Sequence, residues 1–196
     1  MTQSHNRIHA FIGPTISQQE AHALRPDIVF HPPIQCGDLF FILPDKPAGI
    51  IIIDGFFEQT ASIWHKEILH TLSLNIPILG ASSMGALRAA ELHRFGMQGI
   101  GDIFEAYVSG ELTDDDEVAV SHYPRELNYQ PNSDAMINIR RTLALATQQS
   151  MINQAQHDAL IDSAKQTFYP QRSLINCIQT SALPKTQQHT LQQWLQ

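Results

Sequence analysis

The sequence predicts an α/β protein with a doubly wound, mostly parallel sheet in three layers, of the Rossmann or flavodoxin-like type, followed by helices. The run Ile50–Ile53 has four apolar residues without polar alternation, which is typical of a strand buried on both faces. Residues 76–79 form a second apolar run. Helical spacing of the apolar residues between the two runs indicates a crossover helix, and strands that alternate with helices form parallel sheets.

Two further strands are expected before the isoleucine run. Residues 8–12 and 28–30 are short apolar runs, and each is followed by glycine or proline. Between them, Ser17 and Glu20 have the spacing of a capping box. This spacing predicts a helix from about residue 18 to 24.

The remaining elements of the sheet domain follow from periodicity and from the glycines. Residues 37–43 fit either a helix or a strand. We expect the crossover helix to begin at residue 60 or 61 and to end at 74, with a second helix over 84–94. Glycines over 96–101 indicate a loop, which is followed by a helix through 103–107.

The composition of the sequence changes near Pro131, where a glutamine-rich region begins whose apolar residues recur at helical spacing. We therefore predict an α/β core domain over residues 1–130 and a helical extension over 131–196, packed on the core. The expected helices are 133–149, capped by Ser133, and then 154–169, 172–180 and 186–195.

Composition restricts the classes of function. The 196 residues are 43% hydrophobic and 16% charged, which suits a packed core and argues against disorder. The net charge of −7 gives no general reason to bind nucleic acid or an anionic membrane. No apolar stretch approaches the roughly 20 residues of a membrane span, and no signal-peptide core follows Met1. With only two distant cysteines, these features predict a cytoplasmic protein with reduced thiols.

Three turns follow predicted strands, at the sheet edge where open α/β sheets bind ligands. Gly13 lies in the first turn, Asp54 opens the second, and Ser82 and Ser83 lie in the third. Asp54 has two interpretations of equal weight: a carboxylate that reaches a ligand, or a cap for the following turn.

The two serines also have two interpretations. A hydroxyl between a strand and a helix is suited to a nucleophile or to an anion contact, and Gly80-Ala81-Ser82 resembles the start of a nucleophile elbow. The second glycine of that motif comes one residue late, at Gly85. Serine is also a common helix cap, which is the commoner role on local evidence.

The sequence His65-Lys66-Glu67 offers a base or an anion contact near the start of the crossover helix. Successive side chains are about 100° apart on a helix, so the three cannot all face one ligand. His65 or Lys66 is the candidate, whereas Glu67 is expected to be solvated. Arg88 and Glu91 have the spacing of a helical ion pair.

Other polar clusters carry weaker signals. The acidic run Asp114–Glu117 fits Mg²⁺ or a basic partner, but hydrated surface charge is the commoner explanation. No pair among the ten histidines has the spacing of a zinc site, so no metal is expected. Cys36 is interpreted as a small buried residue rather than as a reactive thiol.

Ordered motifs run through the proposed core. The longest are Asp-Gly-Phe-Phe-Glu at 54–58, Trp-His-Lys-Glu-Ile-Leu at 64–69 and Gly-Ala-Ser-Ser-Met-Gly-Ala-Leu-Arg-Ala-Ala-Glu-Leu at 80–92. In this order they resemble the core of the TfuA family. Shorter similarities cover 13–14, 37–39, 95–97, 103–107 and 114–120. The resemblance extends from about residue 8 to 145, and we recognise no family motif after Thr147.

The resemblance implies a role in the biosynthesis of ribosomally made, modified peptides. TfuA-like proteins act beside YcaO-type enzymes, which use ATP to activate a backbone amide. In thioamidation, the TfuA-like partner is expected to deliver sulfur by hydrolysing a thiocarboxylated, ThiS-like carrier protein. The expected partners are therefore the YcaO enzyme, the carrier and the precursor peptide. No cofactor is expected in this chain, because the YcaO partner uses the ATP.

The resemblance also gives more weight to functional roles for residues inside the matching motifs. Ser82 or Ser83 becomes the candidate nucleophile, with Lys66 or His65 as the base and Asp54 as a further catalytic residue. The expected substrate-binding residues are Glu58, Arg88, Glu91 and Gly13. The alternative function is a non-catalytic partner that binds the YcaO enzyme and activates or regulates it.

Overall fold

The isoleucine run forms the middle strand of a five-stranded sheet in the computed structural model, which describes residues 6–58 and 60–195. The strands are β1 (Ile8–Phe11), β2 (Val29–His31), β3 (Gly49–Ile52), β4 (Ile78–Ala81) and β5 (Gln98–Ile100). Their order is β2-β1-β3-β4-β5, and neighbouring strands pair in parallel. The predicted α/β class is confirmed, and the strand order is the flavodoxin-like one.

Within the described residues, four helices connect these strands: α1 (Gln18–Leu24), α2 (Asp38–Ile42), α3 (His65–Ser73) and α4 (Ser82–Leu92). Another helix, α5 (Asp102–Ser109), follows β5. Because crossovers between parallel strands are right-handed, α1 lies on one face of the sheet and α2, α3 and α4 lie on the other. The predicted capping box is present at the start of α1, where Ser17 and Glu20 satisfy each other's backbone amides.

Both faces of the middle strand are covered, but unequally. Ile50 and Ile52 are fully buried, whereas Ile51 and Ile53 are partly buried against a cluster that includes Ala10 of β1. Neighbouring strands and helices on both sides remove water from the isoleucines.

The crossover helix begins later than its periodicity predicts. Residues 61–63 are not helical. They are held instead by hydrogen bonds to residues outside the helix: the Ala61 carbonyl accepts from the Cys36 amide at 2.8 Å, and the Ser62 hydroxyl donates to the Phe56 carbonyl at 2.7 Å. Trp64 is one of the apolar residues whose helical spacing predicted the helix, yet its side chain is 59% exposed. The prediction of a helix from residue 60 or 61 was wrong by one turn.

The fifth strand was predicted as a loop. Gly99 lies in β5, and a Cβ atom there would come within 2.1 Å of the Phe104 ring. The glycine therefore serves close packing of α5 on the strand, rather than a turn.

The chain divides into two compact units, one ending at Pro131 and the other beginning at Asn132. The second unit contains α6 (Met136–Gln148), α7 (Gln154–Gln166), α8 (Leu174–Thr180) and α9 (Lys185–Trp194) around their own apolar core. Ser133 does not cap α6, which begins after Ala135. Across the described residues, no helix combines the length and apolarity needed to cross a membrane.

Two glycines let α4 pack directly on the sheet. A Cβ atom on Gly85 would lie 1.8 Å from the Ile52 carbonyl oxygen, and one on Gly80 would lie 2.1 Å from the Gly85 carbonyl oxygen. The Gly85 amide also donates to the Ile53 carbonyl at 3.0 Å. Backbone thus meets backbone where β3, β4 and α4 join.

Two histidines of neighbouring strands form a stacked pair. The His9 and His31 rings are 5.0 Å apart, and His9 Nδ1 lies 2.9 Å from His31 Nε2. Burial, with the charge of His9, lowers the pKa of His31 to about 4, and burial also lowers the pKa of His9. The folded state therefore favours the uncharged rings.

We predict that Gly85→Ala destabilises the fold by at least about 3 kcal/mol, at the top of the range for overpacked cores, because the obstacle is rigid backbone. Gly49→Ala is the matched control, since its Cβ atom would meet only Pro77 at an ordinary 3.4 Å. Chemical denaturation measures both. Similar stabilities for the two variants would contradict the packing argument.

We predict that stability falls as the pH is lowered from 6.5 towards about 4. In this range the unfolded histidines bind protons that folded His31 does not, so acid favours unfolding. His31→Phe keeps an aromatic ring against Phe11 and should flatten the dependence. Denaturation midpoints at several pH values test this, and an unchanged slope in the variant would contradict it.

Candidate functional site

A buried carboxylate joins the turns after β1 and β3. Asp54 follows β3 and is 0% exposed. Its Oδ2 accepts hydrogen bonds from the Gly13 amide at 2.8 Å and the Thr15 amide at 3.1 Å, and its Oδ1 accepts from the Thr15 hydroxyl at 2.6 Å. In this strand order, β1 and β3 flank the switch point where doubly wound sheets bind ligands.

Opposing effects act on the acidity of Asp54. Burial raises its pKa, and the hydrogen bonds from Thr15 and Gly13 partly offset that rise by stabilising the charged form. Because Asp54 has no exposed surface, it borders no open cleft, whereas its partner Thr15 is exposed. Both interpretations of Asp54 thus remain: it fixes a turn, and it also supplies a carboxylate behind an exposed hydroxyl.

Ser82 lies where β4 turns into α4. Its φ of +58° is in the left-handed region, which costs a residue with a Cβ atom roughly 1–2 kcal/mol. Ser83 is also non-helical, with ψ at −120°, so the regular helix begins near the predicted Met84. A serine on a strained strand-to-helix turn is the defining feature of a nucleophile elbow.

The hydroxyl of Ser82 belongs to a directed chain of hydrogen bonds. Ser82 Oγ is half-buried and lies 3.3 Å from Thr15 Oγ1. Thr15 has one hydroxyl proton, which it donates to the Asp54 carboxylate. Ser82 is therefore the donor to Thr15, and the chain runs from Ser82 through Thr15 to Asp54.

The neighbouring serine has a different environment. Ser83 is buried, and its hydroxyl donates to the Val118 carbonyl at 3.4 Å. This contact holds the segment after the acidic run. The structure thus distinguishes the two serines that the sequence left equivalent.

The predicted basic residues lie around a separate cleft of about 450 Å³, lined by Ser62, Ile63, Trp64, His65, Lys66 and Arg88. Glu91 connects two of them: its Oε2 lies 2.8 Å from His65 Nε2 and accepts a hydrogen bond from the Arg88 guanidinium at 2.6 Å. The predicted ion pair of Arg88 and Glu91 is confirmed. Lys66 and His65 share this cleft, whereas Ser82 and Asp54 belong to the hydrogen-bond chain at the sheet edge.

The remaining predicted residues are distributed as follows. Glu58 is exposed in the turn after β3, with a φ of +52°. Glu67, expected to be solvated, is 2% exposed, and its Oε2 accepts a hydrogen bond from the Gly37 amide at 2.8 Å. Burial and the neighbouring Glu67 raise the pKa of the Cys36 thiol, so the structure gives it no thiolate character.

A segment that sequence reasoning missed covers the first turn. Residues 121–131 fold back on themselves, with the Tyr123 amide donating to the Gln130 carbonyl at 2.9 Å. His122 is buried within 4.8 Å of the Phe56 ring and 5.7 Å of the Tyr129 ring. No local sequence motif predicts these contacts. Thr15, by contrast, lies in the turn after β1 that was already a candidate, and a hydroxyl there could have been recognised as a possible partner for Asp54.

Fold and site together define a flavodoxin-like α/β protein that presents a serine at a strained strand-to-helix turn, in front of a buried carboxylate. The chain belongs to the TfuA-like protein family, whose sequence model matches residues 54–173. The resemblance drawn from the motifs is confirmed, and the match continues past Thr147 into the second unit. TfuA-like proteins are associated with YcaO-type thioamidation and are generally partners of YcaO-type enzymes. No curated protein matches the chain.

Proposed function

We propose that this protein delivers sulfur for backbone thioamidation by a YcaO-type enzyme, by hydrolysing the thiocarboxylate of a ThiS-like carrier protein. The observation that carries the proposal is the directed chain from Ser82 through Thr15 to Asp54. It gives one serine a strained, accessible position and a route for its proton. Family membership supplies the biological setting, and the ATP that activates the peptide amide is used by the YcaO partner.

In the proposed first step, Ser82 Oγ bonds to the carbonyl carbon of the thiocarboxylate and the carbon–sulfur bond breaks. Sulfide leaves, and the carrier remains attached to Ser82 as an ester. The serine proton moves to Thr15 as the Thr15 proton moves to Asp54, and a proton returns along the same chain to the departing sulfide, which leaves as HS⁻. Water then cleaves the ester, so that the net reaction converts thiocarboxylic acid and water into carboxylic acid and hydrogen sulfide.

Burial favours Asp54 as the final proton acceptor. A carboxylate whose pKa is raised holds a proton more readily than an exposed one, and burial raises that of Asp54. The oxyanion formed during attack lies near the start of α4, where the helix dipole favours negative charge.

We assign the second cleft to binding. His65 and Arg88 share the negative charge of Glu91, while Lys66 and exposed Trp64 offer a cation and an aromatic surface beside them. With Glu58 and Gly13, these residues complete the substrate-binding groups of the proposal. The role of Lys66 or His65 as the base stays a prediction, and Asp54 is the base that we favour.

We predict that Ser82→Ala abolishes sulfide release from a thiocarboxylated carrier, measured with purified protein by a sulfide-specific assay. Ser83→Ala is the matched control, and most activity should remain because the Ser83 hydroxyl is buried and donates its hydrogen bond to the Val118 carbonyl rather than to Thr15. Ser82→Gly should be equally inactive, yet at least as stable as wild type, because glycine relieves the strain of the positive φ.

Two results would contradict this assignment. Full turnover by Ser82→Ala at saturating carrier would exclude the covalent route. Stimulation of the YcaO enzyme by this protein with free sulfide, without any carrier hydrolysis, would support the non-catalytic partner instead.

We predict that Asp54→Asn lowers the rate of sulfide release by roughly 10²–10⁴-fold, the usual contribution of a general base. The asparagine oxygen can keep the bonds from Gly13 and Thr15, while its NH₂ group donates to the Thr15 hydroxyl and reverses the chain. Thermal denaturation should show a folded protein. Activity near that of wild type in a folded Asp54→Asn variant would refute the proton route.

A further inference from the structure

The proposed substrate carries a negative charge to a site that already contains one. A thiocarboxylate is anionic near neutral pH, as is the carboxylate that hydrolysis leaves. Asp54 lies behind Thr15 and Ser82 with its own charge buried. Like charges a few ångströms apart repel each other, so a cation beside the acyl end would favour its binding.

Three basic groups described in the first unit are unsuited to this task. Arg88 is bound to Glu91 and to the Ile63 carbonyl, and His65 is bound to Glu91. Arg7 donates to the carbonyls of Pro26 and Asp27, before β2. These groups are either neutralised or held away from the turn that contains Thr15.

In the part of the chain that the structure describes, Arg125 is not paired with an acidic side chain, and it lies close to the turn that contains Thr15. It lines a pocket of about 260 Å³ together with Gly13, Gln18, Asn128 and Tyr129. Gly13 is two residues from Thr15 and shares Asp54 Oδ2 with it, so this pocket adjoins the hydrogen-bond chain. Within the described residues, the Arg125 guanidinium makes no hydrogen bond or ion pair.

The pocket has the chemistry of a carboxylate site. Besides Arg125, its lining residues include Gln18, Asn128 and Tyr129, whose side chains can all donate hydrogen bonds. A guanidinium can bind a carboxylate through two parallel hydrogen bonds. Tyr129 is held over Gly13: its Cβ lies 3.5 Å from where a Gly13 Cβ would be, and its ring contacts buried His122.

We propose that Arg125 binds the anionic acyl end of the substrate in this pocket, and so determines specificity for a chain that ends in a free carboxylate or thiocarboxylate. The inference rests on the proposed function for the source of that acyl end. The guanidinium of Arg125 neutralises the negative charge of the acyl end, so that the carbonyl carbon can approach Ser82 in front of Asp54. Gln18 and Asn128 contact the neighbouring peptide groups.

The experiment compares two forms of the carrier, one with its C-terminal carboxylate and one with a C-terminal carboxamide. Isothermal titration calorimetry measures the affinity of each form for wild type, Arg125→Gln and Arg94→Gln. Arg94 is the matched control, an exposed arginine after α4 at the end opposite to Ser82. Neither carrier form carries sulfur, so binding is measured without turnover.

For wild type and Arg94→Gln, we expect the carboxamide form to bind roughly ten- to a hundredfold more weakly, the loss that accompanies removal of a charge-assisted hydrogen bond. Arg125→Gln should bind both forms with the weaker affinity. With the thiocarboxylated carrier, the same variant should raise KM more than it lowers kcat.

Continued discrimination between the two carrier forms by Arg125→Gln would overturn the inference, as would equal or absent binding of both forms by wild type. These outcomes are separate from the fate of the proposed reaction. If Ser82→Ala retained sulfide release while Arg125→Gln lost discrimination, the reaction scheme would fail and the carboxylate site would stand. If wild type released sulfide and Arg125→Gln still discriminated between the two carrier forms, only the proposed carboxylate site would be wrong.

Discussion

The carboxylate of Asp54 organises the carboxyl edge of the sheet. It gathers three hydrogen bonds from Gly13 and Thr15, and thereby fastens the turn after β1 to the end of β3. Without such an acceptor, the buried Gly13 amide would lose its partner, at a cost of about 1–3 kcal/mol. The position of the Thr15 hydroxyl, and with it the orientation of Ser82, depends on this one buried group.

Close backbone packing where β3, β4 and α4 join holds this edge of the sheet from the side opposite Asp54. Gly80 and Gly85 let β4, α4 and β3 meet with no side chain between them. The chain must turn sharply to enter α4 so near the sheet, and Ser82 takes up the turn with a positive φ. Strain of this kind persists only where its surroundings are rigid, and it is concentrated at functional sites. The glycines and Asp54 supply that rigidity from two sides.

The charged residues are distributed between two regions with different electrostatics. Around Glu91, opposite charges are already balanced, which suits recognition of a protein surface. Beside Gly13, an arginine faces a small polar pocket. The proposed function, which joins a YcaO-type enzyme and a carrier protein, needs both kinds of surface, one for docking and one for the reacting end.

The sequence by itself determined the parallel α/β class, the capping box of α1, the helix-rich C-terminal region and the family, because these follow from local periodicity and ordered motifs. It also placed Asp54 and the serine pair at strand ends. Tertiary structure alone decided that Ser82 rather than Ser83 is accessible, since the difference lies in contacts with Thr15 and Val118, which are distant in the chain. The burial of Glu67, the pairing of β5, the packing of His122 against Phe56 and the placement of Arg125 beside Gly13 likewise depend on long-range packing. No periodicity within a short window carries that information, because each of these residues acquires its environment from segments elsewhere in the chain.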